Sequence, residues 1–180
     1  MSESATRTEE RKPLRPIDLE GLKALGAKAK LDPAKVNTLK AHTECEGVFR
    51  MMTYCRDLDG HLIDEPPTLL GEDNAPNPSE ATLAALASCL LVGIHANATY
   101  RGITLYKLEA DLEGDINISS AWGVGDTSEK RLGFTEIRVK FDIDADCSRE
   151  ELQELIEWSD KWSPVGNTLR NPVETKISLA

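Results

Sequence analysis

Four cysteines, Cys45, Cys55, Cys89 and Cys147, are the side chains best suited to nucleophilic or redox chemistry in this chain. A thiolate, not a thiol, attacks an electrophile or reduces a peroxide. Each cysteine is therefore judged by its access and by what would lower its pKa. The spacing contains no CxxC, and no histidine stands at zinc-site distance from a cysteine pair, so neither a metal nor a bound cofactor is expected. Cys89 lies inside "SEATLAALASCLLVGIHANATYRG", Ser79 to Gly102. At about 100° per residue, Ala85, Leu86, Leu90, Val92 and Gly93 fall near its face. That pattern alone supports a packed core cysteine as well as it supports a nucleophile. Cys89 is also about 15 Å from the helix start, too far for the helix dipole to lower its pKa. A basic side chain from another element would have to do so, and Arg50, Arg56, Arg131 and Arg170 are the candidates.

The elements that must position these groups are legible from periodicity. Residues 1–16 are polar and charged and read as a flexible arm. Residues 17–42 form a helical extension. Ile17, Leu19, Leu22 and Leu25 predict a first helix ending at Gly26, and "LDPAKVNTLKA" predicts a second, capped by Asp32. From Thr43 the period is two, with Cys45, Gly47, Phe49 and Met51 on one face, which predicts a strand with Cys45 packed inward. "DLDG" turns into "HLIDEPP", a further strand. Pro78-Ser79-Glu80 opens a long helix to about Tyr100, with Ser79 as N-cap and Glu80 at the positive end of the dipole. "ITLYKLEADLEGDI" and "FTEIRVKFDIDA" read as strands around a polar excursion that carries Trp122. Ser148 and Glu151 make a capping box for a helix ending at Ser163-Pro164, on which Trp158 and Trp162 read as packing residues. "VETKISLA" predicts a closing strand. The order gives an α+β class with mostly antiparallel strands.

Composition bounds the partners. The 180 residues hold 21 basic and 31 acidic side chains, a formal charge of −10. Such a surface repels phosphate backbones and anionic membranes, so neither nucleic acid nor membrane is expected as a partner. The longest apolar run, Leu83–Ala98, is interrupted by Ser88, Gly93, His95 and Asn97. The N-terminus carries no apolar signal region, and the expected location is cytoplasmic, where thiols are mostly reduced.

"APNPSEATLAALASCL", "RGITLYKLEADLEGDI", "GFTEIRVKFDI" and "SREELQELIEWSDKWSPVGNTLRNPV" together resemble the OsmC/Ohr superfamily, over roughly residues 43–180. The resemblance implies antiparallel sheets wrapped around central helices in an intertwined homodimer. It also implies a peroxidase that reduces organic hydroperoxides through Cys89, with an arginine and a glutamate holding the thiolate. The first hairpin supplies the arginine in the family, and Arg56 fits that place. The family glutamate stands ten residues before the nucleophile. Here that position is Ser79, with Glu80 beside it and directed about 180° from Cys89 on an ideal helix. The family's second cysteine precedes Pro-Val, and here that residue is Ser163, which forms no disulfide. The implied chemistry is therefore a one-cysteine peroxidase regenerated by an external dithiol, with Cys55 as an alternative resolving thiol. The competing reading is a non-peroxidase member that binds a small apolar or sulfur-containing ligand, or does other thiol chemistry, at the dimer interface. His95, about 120° from Cys89, reads as an interface histidine and not as a base. Cys147 reads as a partly exposed spectator.

Overall fold

A computed structural model describes residues 11–179. The helices are α1 (Leu19–Leu31), α2 (Pro78–Arg101), α3 (Arg149–Trp162) and α4 (Pro164–Arg170). The strands are β1 (His42–Gly47), β2 (Arg50–Tyr54), β3 (His61–Ile63), β4 (Leu105–Asn117) and β5 (Gly133–Ala145). β1, β2 and β3 form one antiparallel sheet in that order, and β4 pairs with β5. Lys107 meets Asp142, and farther along β4 Asp115 meets Arg138 and Thr135. Partners that descend on one strand as they ascend on the other make this pair antiparallel too. The α+β class follows.

The described residues belong to two units. One is drawn from residues 11–27, 90–110 and 141–179, the other from Lys28–Cys89 and Asp111–Lys140. In the first, Ala98, Leu105 and Leu155 are buried together, flanked by Leu108, Ile143 and Leu152. The Ser148–Glu151 capping box starts α3 as the sequence predicts. Ser163 closes α3 and opens α4. It is buried, and its Oγ accepts the Gly166 N–H at 3.0 Å. In the second unit, Gly114 lies under the Phe134 ring and beside Leu83, where a Cβ would collide.

Several expectations are corrected. The first helix does not end at Gly26 but continues to Leu31. Ala and Lys on either side are strong helix formers and offset the roughly 1 kcal/mol cost of one glycine. The second helix is absent: Pro33 and Ala34 make a turn and residues 35–41 are irregular. The strand from Thr43 is a hairpin. It reverses at Val48-Phe49 with Gly47 at φ 114° and Val48 at φ 48°. A two-residue turn preserves the even count of residues, so the alternation reads straight through it. Cys45 is exposed, not packed, because every residue of the outer strand β1 is exposed. Trp158 and Trp162 meet in a tilted ring pair with centroids 5.8 Å apart, yet both are exposed. No strand forms over residues 172–179, where Ile177 and Leu179 are 91% and 99% exposed. The expected arm, residues 1–16, lies mostly outside the described residues. From Arg11 onward it is docked: Arg11 pairs with Asp144 and lies over the Tyr106 ring, and Leu14 N–H donates to the Leu105 carbonyl.

Candidate active site

The site is built from the start of α2 outward. Asn77, and not Ser79, caps this helix. Its Oδ1 accepts the Glu80 N–H, and Glu80 Oε2 accepts the Asn77 N–H, both at 2.8 Å. This reciprocal pair is a capping box in which asparagine replaces serine. Proline at the first helical position has no N–H to satisfy and presets φ, which is why the helix begins two residues before the start that a Ser79 cap would give.

The loop leading to that cap is held by a residue the sequence did not single out. Asp64 is completely buried. Its carboxylate accepts the N–H groups of Glu65 and Asn74 and the Asn74 side-chain amide, at 2.8 to 3.1 Å. The Asn74 backbone N–H is the chief cause that holds the Asp64 carboxyl below the ordinary value of 3.8, against the opposing effect of burial. A depressed carboxylate contributes stability above its unfolded-state pKa and loses it as pH falls through the folded-state value. The melting temperature of the wild type should therefore fall with acidification below the usual Asp range. That of Asp64→Asn should be lower at neutral pH and flatter in acid, as read by circular dichroism against pH.

The same loop depends on Gly71. A Cβ there would overlap the backbone carbonyl of Glu65. Because the obstacle is backbone, relief requires moving the loop, and Gly71→Ala should cost about 3 kcal/mol in urea unfolding. Glu65 itself is half-buried. Burial pushes its carboxyl up, and the charges of Glu80 and Asp64 push it further in the same direction. It lines a cleft of about 370 Å³ at the helix start, with Ser79, Leu69 and Trp122. Trp122 is held at φ 54° and stacks on Phe49 with centroids 5.1 Å apart. Asn77 carried a readable signal, an N-x-x-E spacing before an apolar run. Asp64 and Glu65 carried none, since an acid after a strand reads as a turn.

Cys89 is half-buried on α2. Leu86 and Leu90 on the inner side are buried, at 6% and 3% exposure. Ala84, Ala85, Ser88 and Val92 form an exposed stripe. Helical angles place Cys89 about 85° from the middle of that stripe and about 40° beyond Ala85, at its border with the buried face. None of the four cysteines is in a disulfide. Cys55 is half-buried at the end of β2. Cys147 is half-buried too, as expected, and burial raises its thiol pKa, with Glu151 and Asp146 adding to the effect.

Arg56 lies in the β2–β3 turn, exposed, with φ 57°. The other arginines of its unit have partners. Arg50 pairs with Glu46, Arg131 donates to the Phe134 carbonyl, and Arg138 is held by Glu113, Asp115 and Glu136. Arg50 thus lies on a surface pair, as its strand face predicts. Glu80 is exposed and nine residues before Cys89, with Oε2 committed to the cap. His95 is half-buried farther along α2. Among the described residues no group of three His, Cys, Asp or Glu side chains is arranged to hold a metal.

α2 is long and apolar enough to cross a membrane by length and composition, despite its polar interruptions, and little of it is buried. An apolar helix so little covered has a face that calls for a partner.

Comparison with known proteins identifies the pattern. The model of a family described as OsmC-like protein matches residues 71–178, more than half of the chain. The hydroperoxide reductase of Mycoplasma genitalium is 30% identical over 104 residues, covering 58% of this chain and 69% of that protein. Among solved structures, the OsmC-like protein from Mycoplasma pneumoniae superposes with a TM-score of 0.60 at 23% identity, over 76% of this chain and 89% of that one. An organic hydroperoxide resistance protein from Elizabethkingia anophelis gives 0.56 at 18% identity, over 78% and 94%. At these identities the structural likenesses establish the fold.

Proposed function

We propose that this chain, which belongs to the OsmC-like protein family, is a thiol-dependent hydroperoxide reductase with Cys89 as its nucleophile. The observation that carries the reading is the place of Cys89: half-buried, flanked by buried leucines, and bordering the open stripe of α2. The apolar surround favours an organic over an inorganic peroxide. The thiolate attacks the distal oxygen of ROOH. An S–O bond forms, the O–O bond breaks, and the alkoxide leaves as ROH after taking a proton. Cys89 becomes a sulfenic acid, oxidised by two electrons. An external dithiol then restores it. One thiol displaces water from the sulfenic sulfur, and the second displaces Cys89 from the mixed disulfide.

Arg56 is proposed as the cation that favours the thiolate, because it is the arginine of its unit that has no carboxylate or carbonyl partner among the described residues. A guanidinium near sulfur lowers the thiol pKa. Glu80 Oε1 remains to orient that guanidinium while Oε2 caps α2. Ser163, where the family carries its second cysteine, serves as an N-cap and supplies no resolving thiol. A second copy of the chain is proposed to cover Ala84, Ala85, Ser88 and Val92 and to pair with the stretch 172–179, where Val173, Ile177 and Leu179 are exposed. The domain boundary near residue 43 and the cytoplasmic location are part of the same reading.

The test is reduction of cumene hydroperoxide by the purified chain with a dithiol, together with mass-spectrometric mapping of the oxidised cysteine after one equivalent of peroxide. Sulfenic acid or its adduct at Cys89 is the expected product. An unreacted Cys89 with an apolar ligand retained by the protein would instead support the ligand-binding reading.

A further inference from the structure

We propose that the segment preceding α1 completes a second binding site, a cleft for a small apolar molecule carrying a carboxylate. Residues 13–17 and 19, the C-terminal end of α2 and residues 102–105 line an open cleft of about 530 Å³, within the roughly 300–1,000 Å³ of small-molecule sites. Leu14, Ile17, Ile103 and Leu105 form apolar walls. The polar side chains that join them include Arg15, His95 and Thr99. The Thr99 Oγ accepts the Ile17 N–H at 3.4 Å, which leaves its hydroxyl hydrogen for another acceptor. Arg15 forms no ion pair among the described residues.

The charge distribution selects the ligand. Of the chain's 180 residues 31 are acidic, yet none lines this cleft. A guanidinium and a hydroxyl beside apolar walls, with no carboxylate among them, match an organic acid whose hydrocarbon part replaces water against the walls. A planar guanidinium binds a carboxylate with two parallel hydrogen bonds. The segment is held in place independently of any ligand: Leu14 N–H donates to the Leu105 carbonyl at 2.7 Å, and Arg11 pairs with Asp144 over the Tyr106 ring. Residues 13–19 precede the stretch 71–178 that the family model covers. The cleft therefore depends on a part of the chain outside that match.

The probe is octanoate, with octanol as its neutral counterpart, titrated calorimetrically into the full chain. Octanoate should bind saturably, one per chain, and octanol roughly tenfold or more weaker, the loss expected for one charge-assisted hydrogen bond. Arg15→Gln should lower octanoate affinity to that of octanol and leave octanol unchanged. Ile17→Asp should weaken both. Because Arg15 is exposed, its variant should keep the wild-type circular dichroism spectrum, and hydroperoxide reduction need not change. Absence of saturable octanoate binding, equal affinity for the two probes, or an Arg15→Gln variant that binds octanoate like the wild type would each overturn the site.

Discussion

Cys89→Ser should abolish hydroperoxide reduction, lowering kcat/KM by roughly 10³-fold or more, as removal of a nucleophile does in other enzymes that use covalent catalysis. Serine is close in shape, so folding and the melting temperature should stay near those of wild type. The discriminating feature is the contrast among the thiols. Cys45→Ser and Cys147→Ser should retain turnover, since β1 exposes Cys45 and burial with two nearby acids disfavours the thiolate of Cys147. Cys55→Ser separates the two resolution routes. If an external dithiol does the work, turnover persists and no intramolecular disulfide forms. Retained activity in Cys89→Ser, measured with cumene hydroperoxide and a dithiol, would sink the assignment. Arg56→Gln should leave a slower enzyme in the same assay, because it removes the guanidinium proposed to hold the reacting sulfur.

The parts of the fold that local chemistry dictates were legible. α3 follows from apolar periodicity and its capping box, α2 from its long apolar run after Pro78 although its cap is Asn77 and not Ser79, and β4 and β5 from alternation. The mistakes have a common form: a local pattern was read without the neighbour that decides it. Alternation from Thr43 ran through a two-residue turn because a turn of that length does not disturb the count. Cys45 has core parity, but its strand is an edge with nothing packed on it. Residues 173–180 have strand composition, but composition alone does not choose a partner, and over 172–179 no strand pairing forms. At the candidate site Cys89 could be found only through the family pattern, since a cysteine in an alanine-rich helix reads equally as packing. Asp64 escaped notice because its role lies in hydrogen bonds to backbone ten residues away. No side-chain periodicity records those.

Ala85→Arg should leave the chain monomeric where the proposed pairing of two copies makes the wild type a dimer, and take most of the activity with it. Ala85 is exposed on α2, and arginine is nearly as good a helix former as alanine, so the single chain loses little stability. What the arginine disturbs is the covering of the stripe formed with Ala84, Ser88 and Val92, where Val92 is 65% exposed. Small residues let a second helix approach closely. A long cation at the centre of such a contact must be desolvated without a partner, a penalty of several kcal/mol per copy, and a symmetric dimer contains the substitution twice. Light scattering after size exclusion should give twice the chain mass for wild type and the chain mass for Ala85→Arg. Hydroperoxide reduction should fall together with the dimer population, because Cys89 borders this stripe and would lose its apolar cover. The substitution Asp111→Arg, far from the stripe in sequence and on the exposed face of β4, is the control and should leave both readouts unchanged. A wild-type protein that scatters as a single chain while turning over peroxide would refute the paired arrangement, leaving the thiol chemistry of Cys89 to stand alone.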